Sequence, residues 1–259
     1  MKKSLLFSLS FLLLAGCAAE QKESTSSTDQ KPDMIYHYSV LKALDNGVLE
    51  GDMKISELKK HGDFGLGTFN TMDGEMIVLD KVVYRVAKDG TIVEPSDQTL
   101  IPYSVVTNYS EDDTLKLNGE CDYNALKSFV DRRIPSKNLF YAFRIRGEFD
   151  YIKCGGASAQ EKPYDKSLNE ILATRPVYEK NNVKGTLIGF WCPSFIGDIN
   201  TQGFHLHFLA EDHSIGGHLM EFKARSLDLS YDIKSAYQIM IPETDMFKNA
   251  TFREAGVNY

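Results

Sequence analysis

Two histidines in the last third of the chain are spaced so that they could bind a metal together. His205 and His207 stand two residues apart in Gly203–Leu209, a run whose pattern predicts a β-strand. Side chains alternate between the two faces of a strand, so both imidazoles lie on one face. A His-x-His pair alone is also common on a polar surface, so a metal site needs a further ligand.

His218 supplies that ligand if the chain forms a hairpin. Residues 211–217 are turn-like, and the next predicted strand starts near His218. In a hairpin symmetric about residues 212 and 213, His207 lies directly opposite His218. Three imidazoles and an open position are the usual arrangement of a catalytic zinc. Iron, manganese and nickel stay open, because three imidazoles do not select zinc by themselves.

The other histidines and the cysteines carry a weaker signal. His213 falls in the turn and is expected to be solvated, whereas His37 and His61 have no local partners. Three cysteines stand beyond residue 100 without a CxxC pair, so we expect small buried residues and no thiolate zinc site. They are Cys121, Cys154 and Cys192.

Strands outnumber helices in the predicted elements that must position these groups. The pattern predicts an α+β fold dominated by mixed or antiparallel sheet. Helices are predicted over 40–49, 55–60, 122–133 and 166–173, with Asp122 as the N-cap of the third. Strands are predicted over 76–79, 82–86, 139–145, 149–153, 185–191, 203–209, 217–223, 226–231 and 236–241, with a turn at 146–148.

The length, composition and net charge limit the classes of protein to which this chain can belong. The chain has 259 residues, which suffice for one or two compact domains with a sizeable core. Its hydrophobic fraction of 42% and charged fraction of 25% are ordinary for a globular protein. The net charge of −7 and the lack of a long basic run argue against a nucleic-acid partner.

The N-terminus is typical of a bacterial lipoprotein. Lys2-Lys3 precedes an apolar run that ends in Leu14-Ala15-Gly16-Cys17, which resembles a lipoprotein cleavage box. We therefore expect a signal peptide over 1–16, a lipidated Cys17 and a polar tether over 17–33. The protein would be anchored to a membrane outside the cytoplasm, the outer one if the cell has two. The alternative is an ordinary secretory signal with an incidental cysteine.

Five blocks of the sequence resemble the α-acetolactate decarboxylase family, in order and with similar spacing. The match runs from about residue 34 to about residue 247. The blocks lie at 61–76 (including GDFGLGTFNTMDGE), 138–147 (NLFYAFRIRG), 160–164 (QEKPY), 183–190 (VKGTLIGF) and 203–218 (GFHLHF…GGH).

The resemblance implies two α/β domains, here 34–140 and 141–259, with a zinc site facing the cleft between them. It implies the same three zinc ligands, His205, His207 and His218, and a homodimer. The glutamate of the family's DGE motif corresponds to Glu75 and a threonine to Thr68. A second glutamate near the C-terminus corresponds to Glu254.

The family reaction converts 2-acetolactate to acetoin and CO2. Glu75 is the first candidate for the proton donor and Glu254 the second, although Asp73-Gly74-Glu75 also suits a simple hairpin turn. Gly155 stands where the family has an arginine that contacts substrate. Arg146, Arg144 or Lys153 could substitute, with Arg146 as the extra residue, or the loop is reshaped and activity weakened or changed.

Two other functions stay open. A zinc-dependent lyase or isomerase for a related hydroxy-keto acid is favoured by Gly155. A non-catalytic metal-binding lipoprotein on the same scaffold is disfavoured by the retained histidines and Glu75.

Overall fold

The computed structural model describes residues 33–252. Two large β-sheets form the framework of this part of the chain. The strands are β1 (Met34–Tyr38), β2 (Met53–Lys54), β3 (Phe64–Thr68), β4 (Glu75–Leu79), β5 (Val82–Val86), β6 (Ile92–Val93), β7 (Leu100–Ile101), β8 (Tyr103–Thr107), β9 (Asp113–Cys121), β10 (Phe140–Gly155), β11 (Val177–Cys192), β12 (Gly203–Ala210), β13 (Gly216–Lys234) and β14 (Ala236–Met240).

Within residues 33–252, four short α-helices lie between the strands and a fifth follows β14: α1 (Leu41–Asp45), α2 (Ile55–His61), α3 (Tyr123–Asp131), α4 (Leu168–Ala173) and α5 (Asp245–Lys248). The predicted Asp122 cap is confirmed, because its carboxylate accepts a hydrogen bond from the Ala125 N–H at 2.8 Å. Helix α4 begins with a capping box between Ser167 and Glu170. Among the described residues, no helix is both long and apolar enough to cross a bilayer.

The first sheet has seven strands in the order β14-β1-β8-β3-β4-β5-β6. Its neighbours are antiparallel except β1 and β14, which run parallel. The second sheet has the order β10-β11-β12-β13-β9, and β10 also pairs with β13, so four of its strands close into a ring. The mixed sheets and few helices confirm the predicted α+β class.

Two of the predicted strand breaks are wrong. The turn expected at 146–148 is absent, since β10 runs unbroken through it with register shifts on either side of Phe149. Gly147 permits this course, because a Cβ there would lie 2.6 Å from a Leu227 methyl group on β13. Strand β13 likewise continues through the gap predicted at 224–225.

The sheets do not divide at the predicted domain boundary near residue 140. Strand β9 lies before that boundary but pairs with β13, while β14 lies after it but pairs with β1. The described residues belong to one compact unit.

An apolar layer holds the two sheets together. Leu66, Ile77 and Val105 of the first sheet share one buried cluster with Ile188 and Leu209 of the second. Burying one such side chain contributes roughly 1.5–3 kcal/mol. The layer fixes strand β4 against strand β12, and the site described next lies where these two strands meet.

Candidate metal centre

The three histidines converge as the hairpin geometry predicts. His207 on β12 pairs directly with His218 on β13, and His205 lies on the same face of β12. The ring centroids are 5.1–5.5 Å apart. One nitrogen from each ring lies within 4.8 Å of the others. The three nitrogens are close enough to bind one ion together, and zinc–nitrogen bonds of about 2.0–2.1 Å would draw them somewhat nearer to each other.

A backbone carbonyl fixes the tautomer of His207. Its Nδ1 lies 2.9 Å from the carbonyl oxygen of Met76 on β4. A carbonyl can only accept, so Nδ1 carries the proton and Nε2 keeps its lone pair. Metal-binding histidines are commonly oriented in this way.

Burial keeps the three imidazoles neutral. It lowers the pKa of His205 to about 4 and that of His218 to about 3, with a further contribution to His218 from nearby His205. The pKa of His207 is also well below its usual value, chiefly through burial. His205 Nδ1 is buried without a hydrogen-bond partner among the described residues. Neutral imidazoles with free lone pairs are the donors that a divalent transition metal requires, so the residues fit such an ion.

Two glycines let neighbouring strands approach the histidines. A Cβ on Gly189 of β11 would lie 1.9 Å from the carbonyl oxygen of His205. A Cβ on Gly217 would lie 2.6 Å from the carbonyl oxygen of Gly155, and Gly217 has a φ of +125° that side chains disfavour. The strands that carry the ligands therefore pack at distances that only glycine permits.

Glu75 on β4 places a carboxyl group beside the three histidines. Its Oε2 lies 3.7 Å from His207 Nε2, and the residue is only 7% exposed. Burial raises the pKa of Glu75 to about 8, while the positive charge of Arg175 acts weakly in the opposite direction. Burial therefore favours a carboxylic acid beside a neutral imidazole over an ion pair. The protonated carboxyl is the form that can donate a proton.

Thr68 on β3 lies directly opposite Glu75 in the register of β3 and β4. It is buried, and its hydroxyl donates to the carbonyl oxygen of Gly74 at 2.8 Å. The oxygen keeps its capacity to accept a hydrogen bond.

These groups line one small cavity of about 110 Å³. Pockets for drug-sized ligands are roughly 300–1,000 Å³, so this one suits a molecule of few atoms. Its wall includes apolar side chains from α1 and α4. The lining residues used below are Thr68, Glu75, Arg175, His205, His207 and His218.

The arginine in the cavity is Arg175, which the sequence pattern did not single out. Of the predicted candidates, Arg144 pairs with Asp80 at 2.6 Å and Lys153 pairs with Glu179 at 3.1 Å. Arg146 is exposed on β10, nine residues from Gly155, or about 30 Å along the strand. Gly155 itself lies opposite His218.

The remaining predicted residues lie elsewhere. Glu254 and Cys17 fall outside the described residues. His213 is exposed at the hairpin turn, as expected. Cys121, Cys154 and Cys192 are buried free thiols, which agrees with the prediction of small buried residues.

Comparisons of the sequence with known proteins point to one family. The alpha-acetolactate decarboxylase family model matches residues 35–254. An alpha-acetolactate decarboxylase of Methanosarcina mazei is 38% identical over 218 residues, covering 84% of this chain and 75% of the relative. One from Bacillus subtilis strain 168 is 35% identical over 227 residues, covering 88% and 89%.

The fold agrees with these matches. The crystal structure of alpha-acetolactate decarboxylase from Bacillus subtilis strain 168 superimposes with a TM-score of 0.83 at 34% identity, covering 86% of this chain and 94% of that chain. The chain belongs to the alpha-acetolactate decarboxylase family and is a carboxy-lyase.

Proposed function

We propose that this protein decarboxylates 2-acetolactate to acetoin and CO2 in a zinc-dependent reaction. One observation carries the proposal: three neutral imidazoles and a protonated carboxylic acid line the same small cavity. The family to which the chain belongs, and the names of its relatives, support this substrate.

His205, His207 and His218 would hold the metal. Zinc is the ion that this ligand set suits in a catalytic site, because three protein ligands leave a position open. When bound, it supplies a Lewis acid that withdraws electrons from the substrate's oxygens. Its positive charge would also oppose the effect of burial on the pKa of Glu75.

The substrate carries its carboxylate on the carbon next to a ketone. When the bond to the carboxylate breaks, CO2 leaves and the electron pair passes into the ketone as an enediolate. One proton must then reach the carbon that lost CO2, which gives acetoin. The protonated carboxyl of Glu75 can supply it, and delivery from one side would fix the handedness of the product. Glu254 is the second candidate for this step.

The chain also controls water and orientation in the cavity. Leu41, Leu44, Met72, Leu168 and Leu172 contribute apolar walls. Excluding water strengthens every polar contact inside the cavity. Thr68 can accept a hydrogen bond from a substrate hydroxyl, which would make it a substrate-binding residue.

A related hydroxy-keto acid is the alternative substrate. We infer that Gly155 stands where the family has its substrate-contacting arginine, and glycine offers no side chain to a carboxylate. A change of substrate within the same reaction class would follow if no other group replaced the arginine.

The direct test is acetoin formation by the purified, zinc-loaded protein from racemic 2-acetolactate. Zinc-dependent acetoin well above the spontaneous rate supports the proposal, and the His205→Ala and His207→Ala double variant should return to that rate. A folded, zinc-loaded protein that makes no acetoin would refute it. Turnover of other hydroxy-keto acids would then indicate the alternative substrate, and no turnover a binding protein.

We also propose that Cys17 anchors the protein to a membrane outside the cytoplasm. Metabolic labelling with a radioactive fatty acid should mark the native chain and leave Cys17→Ser unlabelled. A native chain that stays unlabelled and soluble would contradict the anchor.

A further inference from the structure

Arg175 lies between α4 and β11, and its side chain fills the space in front of Gly155. A Cβ built on Gly155 would lie 2.6 Å from Nε, 2.8 Å from Cζ and 3.0 Å from Cδ of Arg175. Any side chain at position 155 would therefore have to displace this guanidinium. Gly155 is paired with the metal-ligand candidate His218, so the guanidinium stands beside the metal centre.

The backbone around Arg175 is tied to the strand that it faces. Pro176 accepts a hydrogen bond from the Gly156 N–H at 2.8 Å, and Gly155 pairs with Val177. On the other side, the Arg175 N–H donates to the carbonyl oxygen of Leu172 in α4 at 3.4 Å. The position of Arg175 thus depends on the end of the β10–β11 ladder and on α4, not on a free loop.

The guanidinium has no hydrogen-bond or salt-bridge partner within residues 33–252. Arg85, Arg144 and Arg225, by contrast, each contact an aspartate at 2.6–3.1 Å. Among the residues that the structure describes, Glu75 is the only carboxyl in the cavity wall, and it forms no salt bridge with Arg175. A cation in a small cavity without an internal partner is free to bind an anion, and the planar guanidinium suits a carboxylate.

We propose that Arg175 binds the carboxylate of the substrate beside the metal centre. This inference rests on the proposed function, in which the substrate is an anion and acetoin is neutral. The contact selects substrate over product, because only the substrate carries the charge. The carboxylate leaves as CO2, so the contact weakens as the reaction proceeds. Arg175 therefore acts mainly on KM and less on kcat.

Binding of an unreactive analogue tests this role without relying on turnover. In 2,3-dihydroxy-2-methylbutanoate the ketone is an alcohol, so no electron sink exists and the carboxylate stays. Calorimetry on the zinc-loaded full chain should show this analogue binding about tenfold to a hundredfold more weakly to Arg175→Gln. Acetoin should bind both proteins equally. Arg225→Gln, an exposed arginine paired with Asp150, is the matched control and should behave as wild type.

A swap of positions tests the geometry. Gly155→Arg alone places two guanidinium groups in one space and should weaken binding of the analogue. The Gly155→Arg, Arg175→Ala double variant returns a single guanidinium to that space from β10. Its affinity for the analogue should be at least tenfold higher than that of Arg175→Ala. Zinc content and melting temperature show whether each variant is folded.

The outcomes separate this inference from the proposed function. Equal affinity of wild type and Arg175→Gln for the analogue, in a protein that makes acetoin, overturns the role of Arg175 alone. Affinity that depends on Arg175, in a protein that makes no acetoin, upholds the carboxylate contact and overturns the proposed function. A zinc-loaded wild type that makes acetoin but does not bind the analogue overturns the role of Arg175 alone, and one that neither binds the analogue nor makes acetoin overturns both.

Discussion

The carboxyl of Glu75 and the imidazoles of His205, His207 and His218 face one cavity, and burial acts on them in opposite directions. It raises the pKa of the acid and lowers the pKa values of the bases, so all four groups are uncharged at neutral pH. Uncharged bases can accept a metal, while an uncharged acid can give up a proton.

Glu75→Gln should lower kcat by about a hundredfold to ten-thousandfold while zinc stays bound. The amide keeps the size of the protonated acid but has no acidic proton to donate. Because burial favours the neutral form of Glu75, the unfolding free energy of the metal-free protein should change by less than about 1 kcal/mol. Acetoin kinetics, zinc content and urea unfolding measure the three effects. If Glu254→Gln lost kcat to this extent and Glu75→Gln stayed active, Glu254 would be the proton donor.

At the scale of elements, the site depends on how closely three strands pack. Strand β12 carries two of the histidines, β13 carries the third, and β4 supplies Glu75 together with the carbonyl that orients His207. Strand β11 supports β12 from its other edge, where Gly189 faces the His205 carbonyl. Small displacements of a supporting strand should therefore move the three histidines.

Gly189→Ala should test this coupling. Its Cβ would overlap the His205 carbonyl, so β11 and β12 must separate and move two ligands. We expect a loss of about 1–3 kcal/mol in unfolding free energy and weaker zinc affinity. Ile188→Val on the same strand removes a methyl without pushing β12, and should keep zinc affinity. Wild-type zinc affinity in Gly189→Ala would show that the strands are not coupled.

Strand β1, the second strand from one edge of the first sheet, contains a buried histidine with a separate consequence for stability. His37 is fully buried and its Nδ1 lies 2.7 Å from the Tyr237 hydroxyl. Burial, with a smaller contribution from His205, lowers the pKa of His37 to about 3. The unfolded chain therefore binds a proton near pH 6.5 that the folded chain refuses, and stability falls as pH drops from 6.5 towards 3.

His37→Gln replaces the titrating imidazole with an amide, so the unfolded chain no longer binds a proton at this position. In metal-free protein between pH 6 and 4.5, the slope of unfolding free energy against pH should become shallower by up to about 1.4 kcal/mol per pH unit. The variant will be less stable overall, since it loses the contact with Tyr237, but the slope is the readout. Equal slopes in both proteins would mean that His37 is protonated in the folded state.

At the scale of the whole molecule, the metal centre lies between two sheets that share one apolar layer. The ligands come from the second sheet and Glu75 from the first, so unfolding of either sheet would destroy the site. Metal binding and global stability should therefore be linked.

A chelator should lower the melting temperature of the zinc-loaded protein. Free zinc at a hundredfold excess over its Kd stabilises the folded state by about 2.7 kcal/mol, because the unfolded chain lacks the site. The His205→Ala and His207→Ala double variant should melt at one temperature with or without the chelator. Calorimetric scans measure both, and an unchanged wild type would argue against a metal at this site.

The sequence by itself determined the parts of the site that depend on local spacing. A period of two placed His205 and His207 on one face, and the hairpin length set His207 opposite His218, because strand geometry admits few alternatives over such short distances. The cap at Asp122 could also be predicted, because it depends on a hydrogen bond between residues only three apart. The five family blocks also indicated Glu75 and Thr68, which line the cavity.

Only the tertiary structure decided the groups that distant strands bring together. The continuity of β10 through Gly147 depends on packing against Leu227, which no local pattern records. Arg175 reaches the metal centre because the β10–β11 register sets it beside Gly155, and the surrounding sequence does not distinguish it from other arginines. Burial of Glu75 and His37 is likewise a property of two packed sheets. Such contacts arise from the path of the whole chain, so residue spacing could not predict them.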